Sequence, residues 1–179
     1  MRIVAGELRG RRIVAPEGTV TRPTTDKARQ ATFNALGSLD VIVGARVIDL
    51  FAGSGALGIE ALSRGAAHCT FIERDRFALD ALRANIETLE LGERSSVIRG
   101  DALEFANTDG DATLLLADPP YNFVQWSELL NSSTASLVVA ESDRELTSEI
   151  AACIDWQVIR TKRYGRAYVT FIQRIPYRS

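Results

Sequence analysis

The chain has 179 residues, 46% hydrophobic and 25% charged, with a formal net charge of −2, values that suit one domain with a small appendage and a sizeable core. No run approaches the ~18 uninterrupted apolar residues that cross a bilayer, and Met1-Arg2-Ile3-Val4-Ala5-Gly6-Glu7 turns polar too soon for a secretory signal. A cytoplasmic chain with no membrane partner is expected.

Residues 1–14 alternate in short runs around Gly6 and Gly10, which predicts a β-hairpin with arginines along it. Pro16-Glu17-Gly18 breaks it. Thr21 to Asp26 reads as a loop ending at a helix N-cap, with the helix running to about Leu36 and stopped by Gly37. From Ala45 strand-then-helix units repeat. Val47 to Leu50 is a first strand, followed by a glycine-rich turn and a helix to about Arg64. Cys69 to Glu73 is a second strand, and the helix after it places Leu79, Leu82, Ile86 and Leu89 on one face. Ser96 to Arg99, Thr113 to Ala117 and Ser136 to Ala140 continue the series. Residues 154–163 and 166–174, around Gly165, read as a final hairpin. Cys69 and Cys153 both fall in apolar runs that read as strands, and buried free thiols are expected.

Apolar strands separated by helices imply a parallel sheet covered on both faces. The expected fold is α/β, doubly wound and Rossmann-like: a mostly parallel seven-stranded sheet with an antiparallel terminal hairpin. Residues 1–18 form a small N-terminal β-hairpin extension, and 19–179 the main domain.

Charge is unevenly spread. Residues 1–30 hold seven basic side chains against three acidic, and 160–179 hold six basic and no acidic ones. The remainder, 31–159, keeps eight basic against 20 acidic residues. Both ends can contact a polyanion, while the acidic body resists indiscriminate sticking.

Asp49-Leu50-Phe51-Ala52-Gly53-Ser54-Gly55-Ala56-Leu57-Gly58 follows the first strand, and 53–58 fit G-x-G-x-x-G. Glycines let the chain turn tightly and a ligand approach the backbone, facing the next helix's N-terminus. Glu73 ends the second strand twenty positions after Gly53, where a carboxylate can accept both hydroxyls of a ribose. Arg74 is its neighbour. After the third strand, the Asp101 carboxylate, beside Ala102, can accept from an adenine amino group or cap a helix. A dinucleotide would present a pyrophosphate to this turn. S-adenosylmethionine presents a cationic sulfonium and an amino-acid end, which Asp49 suits. Acidic residues at three successive strand ends favour S-adenosylmethionine over NAD.

Asp118-Pro119-Pro120-Tyr121 follows the fourth strand, on the carboxyl edge where open α/β sheets bind ligands. An exocyclic base amine is a poor nucleophile because its lone pair is delocalised into the ring. Asp118 and the Pro119 carbonyl can accept hydrogen bonds from both amine hydrogens and aim that lone pair at a methyl group. The prolines add rigidity without a competing N–H, and Tyr121 offers a face for an extruded base. The alternative is an ordinary Asp-Pro turn. Neither cysteine sits at a strand end in the cleft, as carbon-5 pyrimidine methylation would need. The lone His68, just before the second strand, reads as a surface or packing residue. No zinc pattern exists, so no metal is expected. Nothing argues for a dimer, and a monomer is expected.

These residues resemble the RsmD family, the bacterial 16S rRNA guanine-N2 methyltransferases, over nearly the whole chain. Met1-Arg2-Ile3-Val4-Ala5-Gly6 with Arg9-Gly10-Arg11-Arg12 is similar to that family's N-terminal hairpin. Arg22-Pro23-Thr24-Thr25-Asp26-Lys27-Ala28-Arg29, followed by Phe33-Asn34-Ala35-Leu36, resembles its most distinctive stretch. Residues 49–66 and 118–121 resemble its cofactor and catalytic segments, which many amino-methyltransferases share. The resemblance implies a class I methyltransferase fold acting on one guanine N2 of small-subunit RNA, late in assembly. It implies cofactor contacts at Asp49, Phe51, Ala52, Gly53, Ser54, Gly55, Glu73, Arg74, Asp101 and Ala102, and a guanine amine held at Asp118 to Tyr121. Arg2, Arg9, Arg11, Arg12, Arg22, Thr24 and Arg29 would face RNA. Two departures are the short polar segment Asn107 to Asp111, which truncates the helix after the third strand, and a compressed region over 123–134. Adenine-N6 or glutamine-amide methylation would use the same turn, although 179 residues leave little room for a DNA target-recognition region. A non-enzymatic RNA-binding assembly factor would not need the four strand-end carboxylates, and a dehydrogenase would bind NAD instead.

Overall fold

The apolar runs become the strands of one sheet. The computed structural model describes residues 1–16, 23–107 and 110–176, the side chains of 23–26 excepted. Its strands are β1 (Arg46–Leu50), β2 (His68–Glu73), β3 (Ser95–Arg99), β4 (Leu114–Ala117), β5 (Leu137–Ser142), β6 (Trp156–Tyr164) and β7 (Ala167–Arg174). The helices are α1 (Pro23–Ser38), α2 (Ala56–Ser63), α3 (Arg76–Thr88), α4 (Trp126–Ser132) and α5 (Thr147–Ala151). Strand order is β3-β2-β1-β4-β5-β7-β6, with the first five parallel and β7 antiparallel to both β5 and β6. This is the expected fold. Among the described residues no helix is long and apolar enough to cross a membrane.

Strands buried on both faces need apolar side chains on both, which is why β4 reads Leu-Leu-Leu-Ala with every residue buried. Alternation divides the core in two. Val47, Leu114 and Leu116 pack with Phe33, Leu36, Ile59 and Leu62 on one face. Ile48 and Leu115 pack with Trp126, Leu129 and Ile150 on the other. In α3, Leu79, Leu82 and Ile86 are buried as their spacing predicts, and Asp75 caps the helix by accepting from the Ala78 N–H at 2.9 Å.

Four local expectations change. α1 begins at Pro23 rather than near Asp26 and continues through Gly37 to Ser38. Proline's fixed φ suits the first helical position, and buried Phe33 and Leu36 outweigh the ~1 kcal/mol cost of a helical glycine. Cys153 lies after α5 rather than in a strand, although it and Cys69 are indeed buried and free. The described residues between β3 and β4 form turns without a helix, and α4, inside the compressed region, has only 7 residues.

The fourth is the N-terminal hairpin, which pairs over a single ladder bridge, Arg2 to Arg12, with the Ile3, Gly10 and Ile13 N–H groups donating across to the Arg11, Ile3 and Met1 carbonyls. Several of its other backbone donors reach α2. The Val4 and Ala5 N–H groups donate to the Glu60 carboxylate at 2.8 and 3.1 Å, and Leu8 N–H donates to Ser63 Oγ at 3.0 Å. Gly6 passes so close to α2 that a Cβ there would stand 1.8 Å from the Ser63 carbonyl oxygen. Ile3 and Ile13 join the same core as α1 and α2.

Glu60 is fully buried and also accepts from Arg64 Nε at 2.7 Å. Glu60→Ala should therefore strand two backbone donors and a guanidinium, lowering unfolding free energy by about 3 kcal/mol. Denaturant unfolding, with limited proteolysis of residues 1–16, checks this. Wild-type stability with an equally protected N-terminus would contradict it.

Candidate active site

The carboxyl ends of β1, β2, β4 and β5 open into a cleft of about 770 Å3, a size typical of small-molecule sites. After β1 the chain turns through Phe51, Gly53 and Gly55 at φ of 59°, 56° and 82°. A Cβ on Gly55 would lie 2.4 Å from Leu82 Cδ1, so left-handed backbone and close approach to α3 both require glycine there. Gly55 shapes the turn and does not itself line the cleft. Phe51, Ala52, Gly53 and Ser54 do.

Each carboxylate is fixed by backbone donors. Asp49 is 1% exposed and accepts from the Gly58 N–H at 2.8 Å, pinning the end of β1 to α2. Glu73 accepts from the N–H groups of Gly53, Arg74 and Asp75, each at 2.8 Å. Its position opposite the turn is thus set before any ligand arrives. Asp101 accepts from Leu103 N–H at 3.0 Å, an Asx turn rather than a helix cap, since no helix starts there. Its other oxygen is 3.6 Å from the Arg74 guanidinium, a well-exposed pair of little energetic weight. Ala102 is buried in the cleft wall.

Asp118 leaves β4 at the cleft, followed by buried Pro119 and exposed Pro120. The Pro120 carbonyl accepts from Phe123 N–H at 2.9 Å, closing a turn that carries Tyr121, 43% exposed. Phe123 stands edge-on to both Phe51 and Trp126, with ring centroids 5.3 and 4.9 Å away. The turn at 118–121 and the glycine-rich turn after β1 are therefore braced by one aromatic cluster.

Glu141 was not foreseen. Ala117 pairs with Ala140 across β4 and β5, so Asp118 and Glu141 emerge side by side into the cleft. The signal was available, because Glu141 is one more acid at a strand's carboxyl end. Burial pushes the Asp49 carboxyl well above the usual range, with Asp118 and Glu73 adding repulsion and the Gly58 N–H opposing. Asp118 faces the open cleft, yet protein atoms crowd its other sides and raise it from 3.8 to about 6. Burial, then repulsion from Asp118, raises Glu141 from 4.5 to about 8. Carboxyl groups thus outnumber the basic side chains around the cleft, Arg29 and Arg74. Cys69 is no nucleophile, since burial, and then Asp49, pushes its thiol well up. His68 opens β2 at the far end from the cleft and meets Ser96 Oγ at 3.0 Å.

Of the residues expected to face RNA, Arg2, Arg9, Arg11 and Arg12 are exposed. Arg2 donates to the Gly10 carbonyl at 2.7 Å and Arg11 to the Thr88 carbonyl at 2.9 Å. Arg29 is a correction: it is 5% exposed, lies beneath the N-terminal segment donating to the Arg2 carbonyl at 2.8 Å, and lines the cleft. Helix packing around Ala28 and Phe33 turns it inward. Arg22 and the side chain of Thr24 lie outside the described residues.

The model of a family described as conserved hypothetical protein 95 matches residues 1–173. "Ribosomal RNA small subunit methyltransferase D" of Escherichia coli K12 is 36% identical, over 97% of this chain and 90% of its own. The chain belongs to the RsmD family. "Putative rRNA methyltransferase YlbH" of Bacillus subtilis is 38% identical, over 97% of this chain and 99% of its own. A solved structure from Escherichia coli, "putative methyltransferase yhhF", superposes with a TM-score of 0.84 at 36% identity and covers 99% of both chains. As an RsmD-family member the chain is a methyltransferase.

The acidic pocket makes stability depend on pH. In the unfolded chain Glu141 ionises near 4.5, whereas in the fold it stays protonated to about 8. Its contribution is thus full below pH 4.5 and is lost as pH rises through about 8. Unfolding free energy should fall across that window, and Glu141→Gln should remove part of the fall. A variant with the wild-type pH profile would show that Glu141 is not the cause.

Proposed function

We propose that the chain transfers a methyl group from S-adenosylmethionine to N2 of a guanine in 16S ribosomal RNA, on assembled or nearly assembled small subunits. The observation that carries this reading is the Asp118-Pro119-Pro120-Tyr121 turn at the mouth of a carboxylate-lined cleft. The donor's fit rests on the same lining: Glu73 and Asp118 repel a pyrophosphate and attract a sulfonium and an ammonium, while Glu141, protonated up to about 8, offers a hydrogen-bonding group beside them. Glu73, locked by three N–H groups, would receive ribose hydroxyls, Asp101 the adenine amino group and Asp49 the amino-acid end. When bound, the donor supplies a methyl group on a positively charged sulfur.

The chain's own residues supply position and proton acceptance. Tyr121 stacks the extruded base. Asp118 and the Pro119 carbonyl take the two amine hydrogens, holding the nitrogen lone pair in line. The nitrogen must lose one proton as it gains carbon. Asp118, poised at about 6, is ionised at neutral pH and suited to accept it. The substrate assignment draws on the Escherichia coli relative, whose name specifies small-subunit ribosomal RNA.

The reading is tested with labelled S-adenosylmethionine offered with small subunits, naked 16S RNA and duplex DNA, the products being resolved as nucleosides. N2-methylguanosine from ribosomal RNA is expected, most of all from small subunits. Label in DNA, or in N6-methyladenosine, would overturn the guanine assignment. Asp118→Ala should lower kcat by about two to three orders of magnitude, as loss of a preorganised polar partner does. Undiminished turnover would remove Asp118 from the chemistry.

A further inference from the structure

The far edge of the sheet carries cations that the cleft does not use. β6 is an edge strand, hydrogen-bonded to β7 alone. Ser142, at the end of β5, pairs with Tyr168, and Tyr164 pairs with Ala167. The β6–β7 turn therefore projects just past Glu141, on the same side of the sheet as the cleft mouth. Arg160, Lys162, Arg163 and Arg166 are all exposed along it. Arg160 and Lys162 pair with Phe171 and Val169, which face the core under α1, so both cations lie on the α1 face.

Not every cation here is available. Arg174 is structural, donating to the Ser133 carbonyl and lying 4.4 Å over the Trp156 ring. Arg163 holds the turn through the Gly165 carbonyl at 2.9 Å and stacks on Tyr168. Among the described residues Arg160, Lys162 and Arg166 make no ion pair. Lys162 is steadied over the half-buried Tyr164 ring, 5.6 Å from its centroid. Charges on an edge strand also discourage strand pairing. Either sign would do that, however, whereas residues 160–179 contain no acid in an otherwise acidic protein.

We propose that Arg160, Lys162 and Arg166 form a phosphate-binding edge that grips the RNA backbone beside the nucleotide whose base enters the cleft. This rests on the RNA substrate argued above. Three strand spacings separate β6 from Asp118 on β4, about 14 Å at the usual ~4.8 Å each. With one phosphate per ~3.4 Å of a strand, that is within about four phosphates of the target. The aromatic Tyr121 would hold the base while this edge fixes the chain on one flank.

The test compares wild type with K162A/R166A, and with the charge-conserving K162R/R166K, for binding to 16S rRNA at several salt concentrations. Losing two phosphate contacts should reduce the slope of log affinity against log salt by about 1.4 to 1.8. K162R/R166K should keep the wild-type slope, and kcat at saturating RNA should be unchanged in both. Both positions are exposed, and unfolding midpoints verify that the fold is kept. If wild type methylates ribosomal RNA but K162A/R166A binds with an unaltered slope, this proposal fails alone. If wild type neither binds nor methylates ribosomal RNA, the functional reading fails and takes the edge with it.

Discussion

A carboxylate buried at 1% exposure, Asp49, is the constraint around which the rest of the site is arranged. Burial makes its charge costly, and Asp118 and Glu73 make it costlier. A single N–H, from Gly58 on α2, offsets part of this. Replacing the carboxylate by an apolar group would relieve the fold, so its presence is explained by what the cleft receives. Carboxyl groups outnumber the basic side chains Arg29 and Arg74 around the cleft, and a positively charged ligand relieves the repulsion among the ionised ones. On the function proposed above, such a pocket would favour a sulfonium donor and would release its neutral product more readily than it bound the donor.

That field is usable only because the carboxylates cannot relax away from it. Glu73 is tied to the turn it faces, and the turn is tied to α3 through Asn85, whose amide donates to the Ser54 carbonyl at 2.9 Å. The same amide donates to the Val14 carbonyl at 2.9 Å and accepts from the Val14 N–H at 2.8 Å. One buried side chain therefore fastens both the cofactor turn and the N-terminal segment. Met1, Ala15 and Pro16 of that segment line the cleft. Its wall and its floor are consequently held by common helices, and the preorganisation that electrostatic catalysis requires follows from ordinary polar satisfaction.

Most of the sheet was legible because parallel strands advertise themselves as apolar runs and α3 as a three-and-four stripe. The cleft residues were legible because strand ends in such a sheet converge on one edge. What escaped was decided by tertiary partners. The N-terminal hairpin stayed short because Glu60 and Ser63, more than fifty residues away, capture the Val4, Ala5 and Leu8 backbone donors. Arg29 looked like an RNA contact by charge, and only the packing of α1 turns it inward. Glu141 escaped for a different reason: it follows Ala140 as Asp118 follows Ala117, but no glycine-rich or Asp-Pro-Pro-Tyr pattern marks it.

The separation of charge along the chain has a spatial counterpart. The cleft is acidic, whereas Arg9 and Arg12 on the N-terminal segment and Lys162 and Arg166 on the terminal hairpin are exposed cations at opposite ends of the chain. A phosphodiester backbone is repelled from the acidic side chains of the cleft and attracted to the β6–β7 edge beside it. A nucleobase carries no charge and meets no such barrier. The combination admits a base only when it has been swung away from its phosphates, which stay outside. On the function proposed above, the same field would hold the donor and favour extrusion of the target nucleotide.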